Sequence, residues 1–345
     1  MATDQSNTEV GAGTESGSDG IFSGVLTWME NLSEAAYAYL LLAPGFLLLA
    51  VVAFYPLLDT LRMSFLADET RGAEPLGGFV GLENYVNILT GDTRLGRQVI
   101  DVAFTSNFPF LELGTPFFRQ ALFVTLAFAI FSVILETTIG FGQALVLDKE
   151  FKGRRWVRVA IILPWAIPIV IQGMLFYLMF QPTVGFGSNI MQTLGIFGSD
   201  PLASSRDSFI IVLVADVWKT SAFMALLILA GLQSVDRSLY DVAEVSGATP
   251  WQRFKYITFP IVMPALLVAM LFRTMDALRV YGLIESTAGC STVPSMTCLV
   301  IDGLFGGTRI YGTAAAVAFL TAAIIGVIIS AYIIKFRNAE GGFAS

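Results

Sequence analysis

The chain has no histidine among its 345 residues. That removes the commonest metal ligand and the side chain that ordinarily titrates nearest neutral pH. Its two cysteines, Cys290 and Cys298, are too few for a cysteine-built zinc site. Metal-dependent membrane proteases and haem carriers are therefore poor candidates, and no metal site is expected. Charge is also scarce: 14% of the residues are Asp, Glu, Lys or Arg, against about a quarter in globular chains. The first twenty residues contain no Lys or Arg, so they lack the basic start of a signal peptide and read as a polar, disordered tail. None of the five lysines sits in a G-x-x-x-x-G-K-S/T loop, so the chain has no phosphate cradle of its own.

What is present is apolar. The mean hydropathy is +0.71, and charge-poor runs recur at lengths that cross about 30 Å of hydrocarbon. Six stand out: Tyr37–Leu58, Ala121–Leu147, Val159–Phe180, Phe209–Leu232, Ile261–Gly282 and Tyr311–Ile334. A helix satisfies its own backbone in lipid, and the short alternating segments of a barrel do not occur. The expectation is an all-α polytopic membrane protein of six transmembrane helices, with residues 1–34 as a tail and 35–345 as the membrane domain. Ten basic residues, among them Lys149, Arg154, Arg237, Arg253 and Lys335, cluster near span ends on one side. By the positive-inside rule that side is cytoplasmic and holds both termini. The stretch 59–119 then lies outside and is long enough to need structure of its own. Much of the surplus behind the net charge of −7 falls in the tail and this stretch, a pattern compatible with a high-salt habitat.

The segment from Val235 to Pro264 reads as two short helices joined by a glycine. Ser238 is placed to cap the first, with Leu239, Val242 and Ala243 as its apolar face and Asp241 and Glu244 turned elsewhere. Gly247 suits the left-handed residue that ends a helix. Thr249, Pro250 and Gln252 supply a cap, a first-turn proline and a capping-box partner for the second. Trp251, Phe254 and Ile257 form its apolar edge, and Pro260 and Pro264 mark the start of the next span. Taken alone this is an amphipathic loop at the membrane interface.

The same residues resemble the coupling-loop signature of binding-protein-dependent ABC importer permeases: Glu-Ala-Ala, three residues, Gly, then a distal Pro. Here the pattern is Asp241, Val242, Ala243, Gly247, Pro260 and Pro264, with Asp for Glu and Val for Ala. YLLLAPGFLLLAVVAFYPLL, FVGLENYVNIL, LPWAIPIVI, DVWKTSAFMALLILAGLQSV and LFRTMDALRVYGLI extend the likeness along the chain, closest to the permeases for maltose, trehalose, other sugars and glycerol phosphate. The resemblance implies a type I importer permease fold in a prokaryotic cell membrane. Its implied partners are a second homologous permease subunit, two cytoplasmic ATP-binding subunits that hold ATP and Mg, and an extracytoplasmic solute-binding protein. No cofactor and no nucleic acid are expected on this chain, and it is not expected to be an enzyme. Asp241, Ala243, Glu244, Gly247, Ala248, Phe254 and Pro260 would contact the ATPase.

Ionisable residues inside spans are costly and mark function or pairing. Glu136, Asp216, Lys219, Arg273, Asp276 and Arg279 are the candidates. Asp216 and Lys219 on the fourth span lie at similar depth to Arg273 and Asp276 on the fifth, so Lys219–Asp276 or Asp216–Arg273 pairs would neutralise them. Contact with a polar solute is the competing reading. Pro164 and Pro168 predict a kink or a local opening in the third span. Cys290 and Cys298, eight residues apart on an outer loop, are able to close a disulfide, although the spacing does not require it. An ion-coupled secondary transporter would need inverted repeats with broken helices in matching halves, and no such symmetry is visible.

Overall fold

The computed structural model describes residues 32–69, 75–91, 95, 97–104, 111–307 and 310–343; nearly all of the tail expected over 1–34 lies outside them. The chain divides into one unit ending at Thr60 and another beginning at Leu61. In the first, the Ser33 hydroxyl accepts from the Ala36 N–H at 3.3 Å and opens helix α1, Glu34–Met63. Its turn at Ala50–Phe54 is widened into a π turn, so that the Tyr55 N–H reaches the Ala50 carbonyl. Pro56 follows directly. A proline removes one helical hydrogen bond and its ring crowds the carbonyl four residues back, and a widened turn just ahead of it relieves that crowding without ending the helix.

The second unit begins with the long stretch expected to carry its own structure. It holds two antiparallel hairpins, β1 (Leu66–Asp68) with β2 (Leu76–Phe79) and β3 (Val102–Phe104) with β4 (Leu111–Leu113), and helix α2 (Glu83–Thr90). These strands are an addition to the all-helical expectation. Asn84 donates to the Ser64 and Leu66 carbonyls at 2.9 and 2.8 Å, fixing α2 beneath the first hairpin.

The remaining elements are helical: α3 (Ala121–Asp148), α4 (Arg154–Ala166), α5 (Ile169–Phe180), α6 (Phe186–Thr193), α7 (Ser205–Gln233), α8 (Arg237–Val245), α9 (Pro250–Ala277), α10 (Gly282–Thr287), α11 (Met296–Phe305) and α12 (Tyr311–Phe343). Among the described residues five helices are long and apolar enough to cross a membrane: α1, α3, α7, α9 and the first 25 residues of α12. A sixth span is present if α4 and α5 count as one. Helices α3 and α7 pack along each other, and α9 packs against both. Gly140 permits the closest approach: a Cβ there would lie 2.7 Å from that of Met224 and 2.9 Å from the Ser221 carbonyl oxygen. The Asp68 carboxylate receives the Gly312 N–H at 2.6 Å and the Thr313 N–H at 3.3 Å, an acid against the positive end of α12.

Two spans have helical detail beyond the expectation. In the third, the prolines open the helix instead of only kinking it. The span is two helices that meet at a 94° bend. Pro164 stays inside α4, and the break falls at Ile167, whose ψ of 130° is extended, because the residue before a proline is pushed out of the helical region. In the fifth, the helix is already formed ahead of Ile261. It begins at Pro250 and runs through Pro260 and Pro264, again with a π turn, Phe254–Thr258, one residue ahead of the first proline.

Candidate functional site

The α8–α9 corner is built from local chemistry. Asp236, not Ser238, caps α8: its carboxylate accepts from the Ser238 N–H at 2.9 Å. That contact holds the carboxyl below the usual aspartate range, since hydrogen bonds to the charged form favour it. The Ser246 and Ala248 N–H groups return to the Val242 and Ala243 carbonyls at 3.0 and 2.9 Å. Gly247 then turns left-handed at φ 78°. Nothing stands within 4 Å of where its Cβ would be, so the position demands glycine for its backbone and not for space. Thr249 and Gln252 complete the expected capping box, with Thr249 N–H to Gln252 Oε1 at 2.7 Å and Gln252 N–H to Thr249 Oγ1 at 3.3 Å.

The expected contact residues divide by environment. Asp241, Glu244 and Gly247 are exposed; Ala243, Ala248, Phe254 and Pro260 are half-buried. Phe254 stacks on Trp251 and meets Phe141 of α3 edge-on, with ring centroids 5.4 and 5.5 Å apart, which anchors the corner to the bundle. Glu244 accepts from Arg253 at 2.7 Å across the glycine turn, Arg237 pairs with Asp148 at 3.0 Å, and the Tyr240 and Thr258 hydroxyls lie 2.8 Å apart. Sequence reasoning missed these three ties, because none follows from spacing along one helix. The outer ridge of α8 is uncovered: Leu239 is exposed, Val242 is 65% exposed and Val245 is 91% exposed.

The second constellation is buried. Arg273 of α9 donates to Glu136 of α3, to Asp216 of α7, to Asp276 at 3.0 Å and to the Ser132 hydroxyl at 3.0 Å. The expected Asp216–Arg273 pairing is therefore present, and Glu136, which had no assigned partner, joins it. The expected Lys219–Asp276 pairing is replaced. Lys219 donates to the Ile167 carbonyl at 2.6 Å, satisfying an oxygen freed where α4 and α5 part. Gln172 of α5 likewise donates to the Ala215 carbonyl, so α7 holds both sides of the bend. Arg279 stays outside the network, exposed, with its Nε–H on the Met275 carbonyl at 3.2 Å. Cys290 and Cys298 are joined, Cα to Cα 5.6 Å, ahead of and within the start of α11.

A family model described as "Binding-protein-dependent transport system inner membrane component" matches residues 136–338, a stretch that contains the α8–α9 corner and all of the buried constellation except Ser132. A trehalose/maltose transport system permease protein of Thermococcus litoralis is 33% identical over 87% of this chain and 93% of its own length. A trehalose transport system permease protein of Mycobacterium tuberculosis is 32% identical over 91% of this chain and 92% of its own. The crystal structure of a bacterial ABC transporter involved in import of the acidic polysaccharide alginate superposes with a TM-score of 0.66 at 21% identity, covering 87% of this chain and 95% of that one; that likeness is one of fold.

Proposed function

This chain belongs to the family of binding-protein-dependent transport system inner membrane components, and from that premise we propose that it is the permease subunit of an ATP-driven importer for sugars or related polyols. It pairs with a second homologous permease subunit and rests on two cytoplasmic ATP-binding subunits, which hold ATP and Mg. Solute arrives from an extracytoplasmic binding protein. Both termini and the α8–α9 corner lie on the cytoplasmic side, and Asp241, Ala243, Glu244, Gly247, Ala248, Phe254 and Pro260 belong to the coupling surface.

The observation that carries this reading is the bare ridge of Leu239, Val242 and Val245 on a tightly capped helix pair. Covering such side chains is worth about 1.5–3 kcal/mol each, and a rigid mount lets the covering partner transmit force. The corner is continuous with α9, which carries Arg273 toward its far end, where it grips α3 and α7. A displacement imposed on α8 by closure of the ATPases therefore moves three spans as a body, and switches access from one side to the other.

Two substitutions at Gly247 test the docking. Both Gly247→Ala and Gly247→Trp carry the same backbone strain, about 1–2 kcal/mol, but only tryptophan projects bulk from an otherwise open surface. Alanine is expected to keep most of the transport in reconstituted vesicles and tryptophan to lose it at equal membrane levels. Equal transport by the two would remove this surface from the coupling role. Transport should also stop when ATP hydrolysis is blocked and persist with ionophores, the reverse of an ion-coupled carrier.

A further inference from the structure

The buried charges do not balance as drawn with every group ionised. Glu136 is fully buried and Asp216 and Arg273 nearly so, giving two carboxylates for one guanidinium. The other charged groups facing this place are Lys219 on α7 and Asp276 on α9. The Lys219 ammonium, which donates to the Ile167 carbonyl, and the Asp276 carboxylate, whose side chain is 73% exposed, offset each other and leave the surplus at one negative charge. A net negative charge left in a dry helix interface is expensive.

Hydrogen counting gives the same deficit independently. The Ser132 hydroxyl oxygen lies 2.6 Å from Glu136 Oε1 and 2.7 Å from Asp216 Oδ2. The Thr220 hydroxyl oxygen contacts Glu136 Oε1 and lies 2.5 Å from the Asp216 backbone carbonyl. Each hydroxyl owns one hydrogen. Four oxygen–oxygen contacts at hydrogen-bonding distance thus share two hydrogens; Arg273 also donates to Glu136 Oε1 and to the Ser132 hydroxyl, each at 3.0 Å, but those hydrogens stay on nitrogen and fill none of the four. A carbonyl oxygen only accepts, so the Thr220 hydrogen belongs to Asp216 and the Thr220–Glu136 contact needs a hydrogen from the glutamate side. Glu136 Oε1 is the one oxygen that touches both hydroxyls.

From this geometry we propose that the α3–α7–α9 interface is a proton site, with one proton held on Glu136 Oε1 and donated to Thr220, while Asp216 stays ionised against Arg273. The bound proton makes the buried set neutral and supplies one missing hydrogen. The spans are then clamped by a neutral carboxylic acid plus one ion pair, and the interface as a whole carries no excess charge through the transport cycle.

Infrared spectroscopy of the purified full chain in lipid nanodiscs decides the matter. At about pH 8, where exposed carboxyls are ionised, a protonated-carboxyl carbonyl band is expected. It should move when the glutamate side chains are isotope-labelled. Glu136 is the only buried glutamate among the described residues, so Glu136→Gln, which matches the neutral acid in shape, should keep the fold and abolish the band. If that variant does not fold, the labelling of the wild-type chain stands as the test. Absence of the band, its persistence in Glu136→Gln, or its movement with labelled aspartate alone would each overturn the assignment.

Discussion

The α8–α9 corner and the Arg273 interface use polar chemistry in opposite ways. At the corner, caps and surface pairs satisfy the backbone, and the apolar ridge of Leu239, Val242 and Val245 is left bare. At the interface the apolar surroundings are closed, and polar side chains from three helices bond to one another. A group that is internally complete contributes to holding the fold. A surface that is incomplete on an otherwise rigid mount is one that needs a partner. Charge inside a membrane span is therefore the poorer guide to docking here, and exposed valine is the better one.

The sharpest way to break that contrast is to open the buried set. Arg273→Ala leaves the buried Asp216 carboxylate without its cation, and removing one partner of a buried pair costs about 3–5 kcal/mol. Thermal unfolding in detergent should show the loss, and an unchanged midpoint would mean the network is not structural. The corner should behave in reverse. Val242→Asp with Val245→Asp should leave the unfolding midpoint alone while weakening ATPase binding by at least about tenfold, or 1.4 kcal/mol; a destabilised chain with normal binding would invert the comparison. Lys219→Met withdraws the donor from the Ile167 carbonyl and should cost about 1–3 kcal/mol, with faster hydrogen exchange confined to the α4–α5 bend. Glu244→Gln cuts an exposed pair and should cost less than about 1 kcal/mol. The smallest effect is that of pH on the α8 cap. The Asp236 carboxyl is held below its ordinary value of about 3.9, so the cap is intact above that value. It is lost as pH falls through the lower folded value. Asp236→Asn, which keeps an acceptor without a titrating group, should abolish the acid-induced fraying of the Ser238 and Leu239 amides.

Legibility in the sequence followed the range of the interaction. The capping box of Thr249 and Gln252, the left-handed Gly247 and the apolar runs are local, and each appears where its spacing put it. The cap on α8 is ambiguous in the sequence because both Asp236 and Ser238 are good caps, and only the backbone geometry chooses Asp236. Depth along a span is readable from 1.5 Å per residue, which brought Asp216 and Arg273 to one level. Direction around the helix axis depends on packing, so Glu136, 137 residues before Arg273, could be named but not paired. The bend was underread for a similar reason. Pro168 reports a break in the hydrogen bonding, whereas the 94° angle depends on Lys219 and Gln172 bonding across to and from α7.

The Asp68 carboxylate has a consequence for the order in which the molecule is made. Its acceptor atoms lie in the first hairpin, and the N–H groups that fill them belong to Gly312 and Thr313, 244 and 245 residues later. During synthesis the hairpin is therefore complete long before its clasp can close. Helix α12 arrives to a waiting anion that fixes its starting point, and a chain stopped short of Tyr311 would keep every earlier helix and still lack the stitch between the first hairpin and α12.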